Sequence, residues 1–434
     1  MRRALPLLPL LVAALVLSHG PSVAQQRQGL TVAVVKVKGL IDPALASYVR
    51  GTVEDAEREG ALVVLQLDSR GAYGAEALRL GEAVRQARVP VVVWVGPRGA
   101  RAEGGALFVA YSSSLVAMAP GAGIGPARPF ELSRRAEAEP PAEVAELSRR
   151  LAALAPGAGA RPQAVEELLG GAVMPAGRAL TSGAVALVAA DIPELLRGLD
   201  GRTVRTGAGP VTLDTAGRPD QPVTVRFHDI GLWPRILHAV STPTAVYVLL
   251  VLSLWSLALE ATQPGFGMAG IGGVLGLAFA GYGLWVVPVR WWGLALLLGG
   301  MGLQALDVLV RRLGALTAAG TLLFAAGSVL AWWGVAPAVD LSPWLVGLAT
   351  LAGVVFFGFG MTVALRARER VRRAQVGLVG LVGEARADLD PEGAVYVKGT
   401  LWRARSMDGP IPKGTRVRVR GIDGLVLRVE REPD

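Results

Sequence analysis

The chain has 434 residues, 52% of them hydrophobic and 18% charged, so it is too apolar for a purely soluble protein and long enough for several domains. It has no cysteine, which excludes disulfides and thiolate chemistry, and its three histidines (His19, His228, His238) leave little material for a zinc site; no metal or cofactor is expected. The net charge of +9 invites a nucleic-acid reading, but where the charges lie matters more than their sum.

Arg2-Arg3, an apolar run over 4–17 and Ser22-Val23-Ala24 form a secretory signal peptide, residues 1–24, cut after Ala24. The rival is an uncleaved anchor helix, for which the run is short. Either reading puts the following domain outside the cytoplasm. From residue 30 the pattern is βαβα. A strand spans 31–37, and Asp42 and Pro43 read as N-cap and first residue of a helix reaching about 59. The near-continuous apolar run 61–67 reads as a strand buried on both faces, and a helix follows over 75–87. VVVWV (91–95) is a further strand, broken at Gly96-Pro97; a Gly- and Ala-rich segment, an apolar run at 115–118 and a glycine loop complete the α/β pattern. Helices return at about 142–154 and 162–169. The glycines of 120–125 lack the G-x-G-x-x-G spacing and a following lysine, so they are turns and not a phosphate loop.

Residues 202–243 read as a linker with short strand-like runs such as 223–227. It ends in GLWPRILHAV, which suits an interfacial segment ahead of a membrane. Residues 244–365 are a membrane region of five spans, about 244–260, 266–288, 291–310, 313–335 and 342–365. With the N-terminal side outside, Arg311-Arg312 and the basic juxtamembrane run 366–373 fall in the cytoplasm, as the positive-inside rule requires. Gly272 and Gly276 form a small-xxx-small pair, with Gly299, Gly300 and Gly302 as further packing positions. Asp307 is expected to pair with Arg311 one turn on. The tail, 374–434, alternates short strands with Gly and Asp turns and reads as a small β domain. It has ten Lys and Arg against nine Asp and Glu, and only Tyr396 and Trp402 as aromatics, so no nucleic-acid partner is expected.

PRGARAEGGALFVAYSSSLVAMAPGAGIGPARP (97–129) resembles the active-site segment of the long NfeD-type membrane proteases, a branch of the ClpP/crotonase superfamily. Pro97, Gly99, Ala100, Ala102, Met118, Pro120, Gly121, Ile124, Gly125 and Pro129 carry the match. SGAVALVAADIPELLRGLDGR resembles the signature that closes that domain, which extends the likeness over 25–201. Glu260, Pro264 and Gly265 resemble the loop between the family's first two spans. The tail resembles the NfeD C-terminal module, an OB-like barrel, through Gly380, Gly383, Gly393, Gly399, Trp402, Gly414, Val417 and Leu427. The implied fold is a ClpP/crotonase-like α/β domain, an all-α membrane region of five helices and an all-β OB-like barrel.

The resemblance implies a serine nucleophile, a lysine base and backbone donors for an oxyanion. The nucleophile position falls on Gly104. The lysine position falls near Glu139, and the chain has no lysine between Lys38 and Lys398. The oxyanion segment reads Leu67-Asp68-Ser69-Arg70-Gly71-Ala72, with Ala72 where the family has its second glycine. Ser112, Ser113 and Ser114 lie eight to ten residues beyond Gly104, about 12 Å along a helix, and cannot replace the nucleophile. A relocated pair using His228 is the remaining alternative. Glu103 is read as surface-facing or paired with Arg101. The expectation is a catalytically inactive serine-protease homologue in the inner (plasma) membrane, with its first domain extracytoplasmic and its barrel cytoplasmic. By resemblance it serves as scaffold or partner of a stomatin/flotillin-like membrane protein, and the ClpP-like domain suggests self-association. An active membrane-bound serine endopeptidase cleaving apolar segments is the alternative.

Overall fold

The computed structural model describes residues 30–133, 138–217, 222–261, 267–310, 314–335, 337–363 and 377–433. The signal peptide, Pro264-Gly265, Arg311-Arg312 and the basic run 366–373 lie outside the described residues. The chain divides into two compact units, the second beginning at Ile236.

In the first unit, β1 (Thr31–Lys38), α1 (Pro43–Glu59), β2 (Leu62–Asp68), α2 (Glu76–Gln86) and β3 (Val91–Val95) follow the predicted alternation. The α1 boundaries are set locally. The Asp42 carboxylate accepts the Leu45 N–H at 2.9 Å, Pro43 occupies the first turn, and Gly60 closes the helix at φ +67. A short β4 (Arg101–Ala102) leads to α3 (Ala106–Tyr111), all six of whose residues are buried. Then come β5 (Leu115–Met118), β6 (Gly123–Ile124), α4 (Pro141–Leu154), α5 (Pro162–Glu167), β7 (Met174–Pro175), α6 (Ala176–Ser182), β8 (Leu187–Val188) and α7 (Ile192–Leu199).

The stretch read as a linker belongs to this unit as far as Arg235. β9 (Thr203–Thr206) and β10 (Gly209–Thr212) form a hairpin, and β11 (Thr224–His228) returns to pair with β1. The main sheet therefore has six strands, in the order β11-β1-β2-β3-β5-β8, every pairing parallel. β3 is buried on both faces, as its β-branched run predicts for a central parallel strand. The carboxyl ends of β2 and β3 hold the segments of interest.

The second unit continues α8 (Leu232–Val240), which begins in the first, into α9 (Pro243–Glu260), α10 (Met268–Val286), α11 (Trp291–Val310), α12 (Ala315–Leu330) and α13 (Pro343–Val355), the last extended by a π-helical turn to Met361. Among the described residues there are five apolar helices, matching the number of spans expected. Four are at least 18 residues long; α12 has 16, about 24 Å of helix, and ends at Leu330, short of the predicted 335. The helices pair through glycines, though not all of those expected. Gly273, Gly276 and Gly283 face α9, while Gly272 has open space beside it. Gly293 and Gly300 of α11 meet Gly327 and Gly320 of α12, where an added Cβ would stand within 2.6 Å of facing backbone. An added Cβ on Gly299 or Gly302 would stand in open space. Asp307 accepts hydrogen bonds from the Gly314 N–H (3.0 Å), the Thr317 N–H (2.8 Å) and the Thr317 hydroxyl. Its described partners are thus the free N–H groups that start α12; Arg311 lies outside the described residues.

The tail forms a closed barrel, β12 (Val382–Ala385), β13 (Glu392–Val397), β14 (Thr400–Ser406), β15 (Arg416–Asp423) and β16 (Val426–Arg431), in the order β12-β13-β14-β16-β15. Alternate residues such as Val417, Val419, Leu427 and Val429 fill its interior.

Candidate functional site

The sheet delivers the site residues from two adjacent strand ends. Beyond β2, Ser69 runs beside β4: its N–H donates to the Arg101 carbonyl at 2.7 Å, and the Glu103 N–H donates to the Ser69 carbonyl at 3.0 Å. This ladder places Gly104 over Gly71. An ideal Cβ on Gly104 would lie 3.5 Å from the Gly71 Cα. The two positions that the resemblance assigns to nucleophile and oxyanion are therefore neighbours in space, 33 residues apart in the chain.

Gly104 adopts φ +57, a left-handed conformation that favours glycine, and its N–H donates to the Pro126 carbonyl at 2.8 Å. The space where its side chain would stand is taken. An added Cβ would lie 2.7 Å from the Pro129 carbonyl oxygen. Over Gly71, at φ +142, the Leu132 side chain comes within 2.9 Å of the corresponding point. The Gly71 carbonyl accepts from the Ile41 N–H and the Ser69 hydroxyl, and Ala72 is fully buried, its Cβ against Gly105.

Glu139 is brought to the same place. It is buried, accepts the Arg128 guanidinium at 2.8 Å, and accepts the Phe130 N–H at 2.7 Å. The Phe130 N–H and the Pro129 carbonyl belong to one peptide group. Glu139 thus grips one side of the peptide whose other side crowds Gly104. Phe130 is buried against Phe108, ring centroids 5.6 Å apart. The Arg128–Glu139 pair and the Leu132 cover were not read from the sequence. The one available signal was a carboxylate near the place where the resemblance expects a lysine, with an arginine eleven residues before it.

The alternatives fare as follows. Ser113 donates to the Ala110 and Leu115 carbonyls, and the Ser114 hydroxyl accepts the Val91 N–H, so both are spent on local structure. His228 ends β11, three strand spacings from β3, roughly 14 Å at the usual interstrand distance. Glu103 is half-buried with Arg101 at 3.7 Å; burial pushes its carboxyl above the ordinary range against the pull of Arg70 and Arg101. Of the two lysines in this unit, Lys36 pairs with Asp229 at 3.2 Å. Among the described residues no group of three or more His, Cys, Asp or Glu is placed to hold a metal.

Residues 244–362 match the NfeD integral membrane domain, and residues 376–431 match the NfeD-like C-terminal, partner-binding domain. The chain thus carries an NfeD-type membrane domain followed by an NfeD-like C-terminal domain. It is 28% identical over 414 residues to the membrane-bound protease PH1510 of Pyrococcus horikoshii, covering 92% of this chain and 93% of that one. Among solved structures, the substrate-peptide complex of the membrane-bound stomatin-specific protease 1510-N is 26% identical over 49% of this chain and 98% of its own, with a TM-score of 0.45. The C-terminal domain of the stomatin operon partner protein 1510-C from Pyrococcus horikoshii is 46% identical over 14% of this chain and 95% of its own, with a TM-score of 0.14. The protein is membrane-bound, with an α/β domain, apolar helices and a C-terminal barrel in that order.

Proposed function

We propose that this protein is a catalytically inactive serine-protease homologue that acts as scaffold or partner of a stomatin/flotillin-like membrane protein. One observation carries the reading: at the position the family gives its nucleophile, Gly104 has no side chain, and the Pro129 carbonyl oxygen stands 2.7 Å from where one would begin. The buried Glu139 at the lysine position supports it, because a carboxylate paired with Arg128 is no substitute for a neutral amine. The same reading places the protein in the inner membrane, the α/β domain outside and the barrel in the cytoplasm, supported by the arginines at 311–312 and 366–373. The barrel is the contact for the partner, in keeping with its family's partner-binding description. Self-association through the α/β domain accompanies this role.

A second reading, an active endopeptidase cleaving apolar segments of membrane proteins, is favoured by one observation, the likeness to a membrane-bound protease over 92% of the chain. Treatment of the full-length protein in nanodiscs with a serine-directed fluorophosphonate separates the two. The scaffold reading predicts no covalent label. A label lost on substitution of one particular serine would establish the second reading. Crosslinking in native membranes with probes on the barrel should recover a stomatin-like protein; its absence would remove the partner assignment.

A further inference from the structure

The helix that leads into the membrane bundle, α8, has the sequence LWPRILHAV. At 100° per residue Leu232, Trp233, Ile236, Leu237 and Val240 share one arc, and Pro234, Arg235 and His238 share the other. An amphipathic helix of a water-soluble unit buries its apolar arc on a core. Here none of the nine residues is buried, and Leu232 is 74% exposed and Trp233 61% exposed. Only Ser241 and Thr242 separate α8 from α9, an 18-residue apolar helix.

The depth of α8 is fixed by a second observation. The Val240 carbonyl, at its end, lies 2.7 Å from where a Cβ on Gly283 would stand, in the last turn of α10. That end of the bundle gathers exposed tryptophans from every neighbouring helix: Trp285 closes α10, Trp291 and Trp292 open α11, Trp333 follows α12 and Trp344 opens α13. Exposed tryptophans collect at the level of lipid headgroups. The Gly pairings make α9 and α10, and α11 and α12, antiparallel, so these residues share one side of the bundle.

We propose that α8 lies in the membrane–water interface, its Leu232–Trp233–Ile236 face in the acyl boundary and Arg235 among the headgroups. Lipid is the occupant because a two-residue tether holds the apolar arc at the depth of the tryptophan collar. A basic residue on the opposite arc suits the lipid phosphates of the headgroup layer. The Arg235 guanidinium spends one donor on the Ile230 carbonyl at 2.9 Å and retains others for phosphate oxygens.

The chain has no cysteine, so single cysteines can be placed without removing any. Leu232→Cys, Trp233→Cys, Ile236→Cys and Arg235→Cys, each in the full-length protein, carry a nitroxide and are reconstituted into phosphatidylcholine–phosphatidylglycerol vesicles. The proposal predicts high oxygen and low nickel-chelate accessibility at 232, 233 and 236, reversed at 235. Water-like accessibility at all four positions would overturn it. So would labels at 232, 233 and 236 shielded from both reagents, which indicates a protein surface. Spin–spin broadening that disappears on dilution with unlabelled protein identifies that surface as a second copy.

Discussion

Replacing Gly104 by alanine tests whether this position has closed against any side chain. Two costs add. A non-glycine residue held in the left-handed region costs about 1–2 kcal/mol. Forcing a methyl group against the Pro129 carbonyl at 2.7 Å adds about 1–3 kcal/mol, the range for overpacking a filled interior. The first cost can be measured alone at Gly74, which has φ +50 and nothing within 4 Å of an added Cβ. Gly74→Ala should therefore destabilise its surroundings by the backbone cost only, and Gly104→Ala by both. Hydrogen–deuterium exchange of the full-length protein in detergent reads each effect on peptides around the substituted residue, 70–80 for Gly74 and 97–111 with 126–133 for Gly104. The extra 1–3 kcal/mol corresponds to a roughly 5- to 150-fold faster exchange where local opening controls it. Equal effects of the two substitutions, or a smaller one at Gly104, would refute the crowding argument and leave room for a hydroxyl there.

Four further outcomes follow from the same coordinates. Glu139→Ala leaves the Phe130 N–H buried without an acceptor and Arg128 without its carboxylate; at about 2 kcal/mol for a lost charged hydrogen bond, exchange in 126–132 should rise about 30-fold. Glu139→Gln, which keeps an acceptor, should cost less. Gly300→Leu should separate α11 from α12 and lower the detergent melting temperature by several degrees, whereas Gly299→Leu should leave it unchanged. Asp307→Ala removes the cap of α12 at a cost of about 0.5–2 kcal/mol, seen as faster exchange in its first turn. In the barrel, the guanidinium of Arg405, with that of Arg403, holds the Glu392 carboxyl below its ordinary value of 4.5. A depressed carboxylate stabilises the folded state above the unfolded value and loses that contribution as pH falls through the folded one. Protection factors across β13 and β14, which remove the intrinsic pH dependence of amide exchange, should accordingly fall below pH 4.5, and Glu392→Gln should flatten that dependence.

Much of this molecule is legible in its sequence because the signals are local. Asp42, Pro43 and Gly60 punctuate α1, and the continuous β-branched run of β3 marks a central parallel strand. The run 223–227 is legible as strand-like, but standing among Gly, Pro and Thr turns it reads as part of a linker; its place in the main sheet comes from pairing with β1, nearly 200 residues earlier. Of the glycines expected to pack, Gly276 and Gly300 meet a neighbouring helix and Gly272, Gly299 and Gly302 do not, because a helix that is apolar all round gives no periodicity to show which side meets a neighbour. At the candidate site the missing hydroxyl and amine are visible in the sequence, but the closure over Gly104 is not. It depends on one peptide group between Pro129 and Phe130, held by Glu139 from a separate segment.

Peptidase activity of the full-length protein in nanodiscs, on an apolar peptide, tests the central claim most directly. Gly104→Ser and the double variant Gly104→Ser/Glu139→Lys are assayed alongside. The account predicts no cleavage by the unmodified protein and none by Gly104→Ser, since a serine there has neither room nor a base. Cleavage by the unmodified protein, abolished by substitution of a single serine, would contradict it.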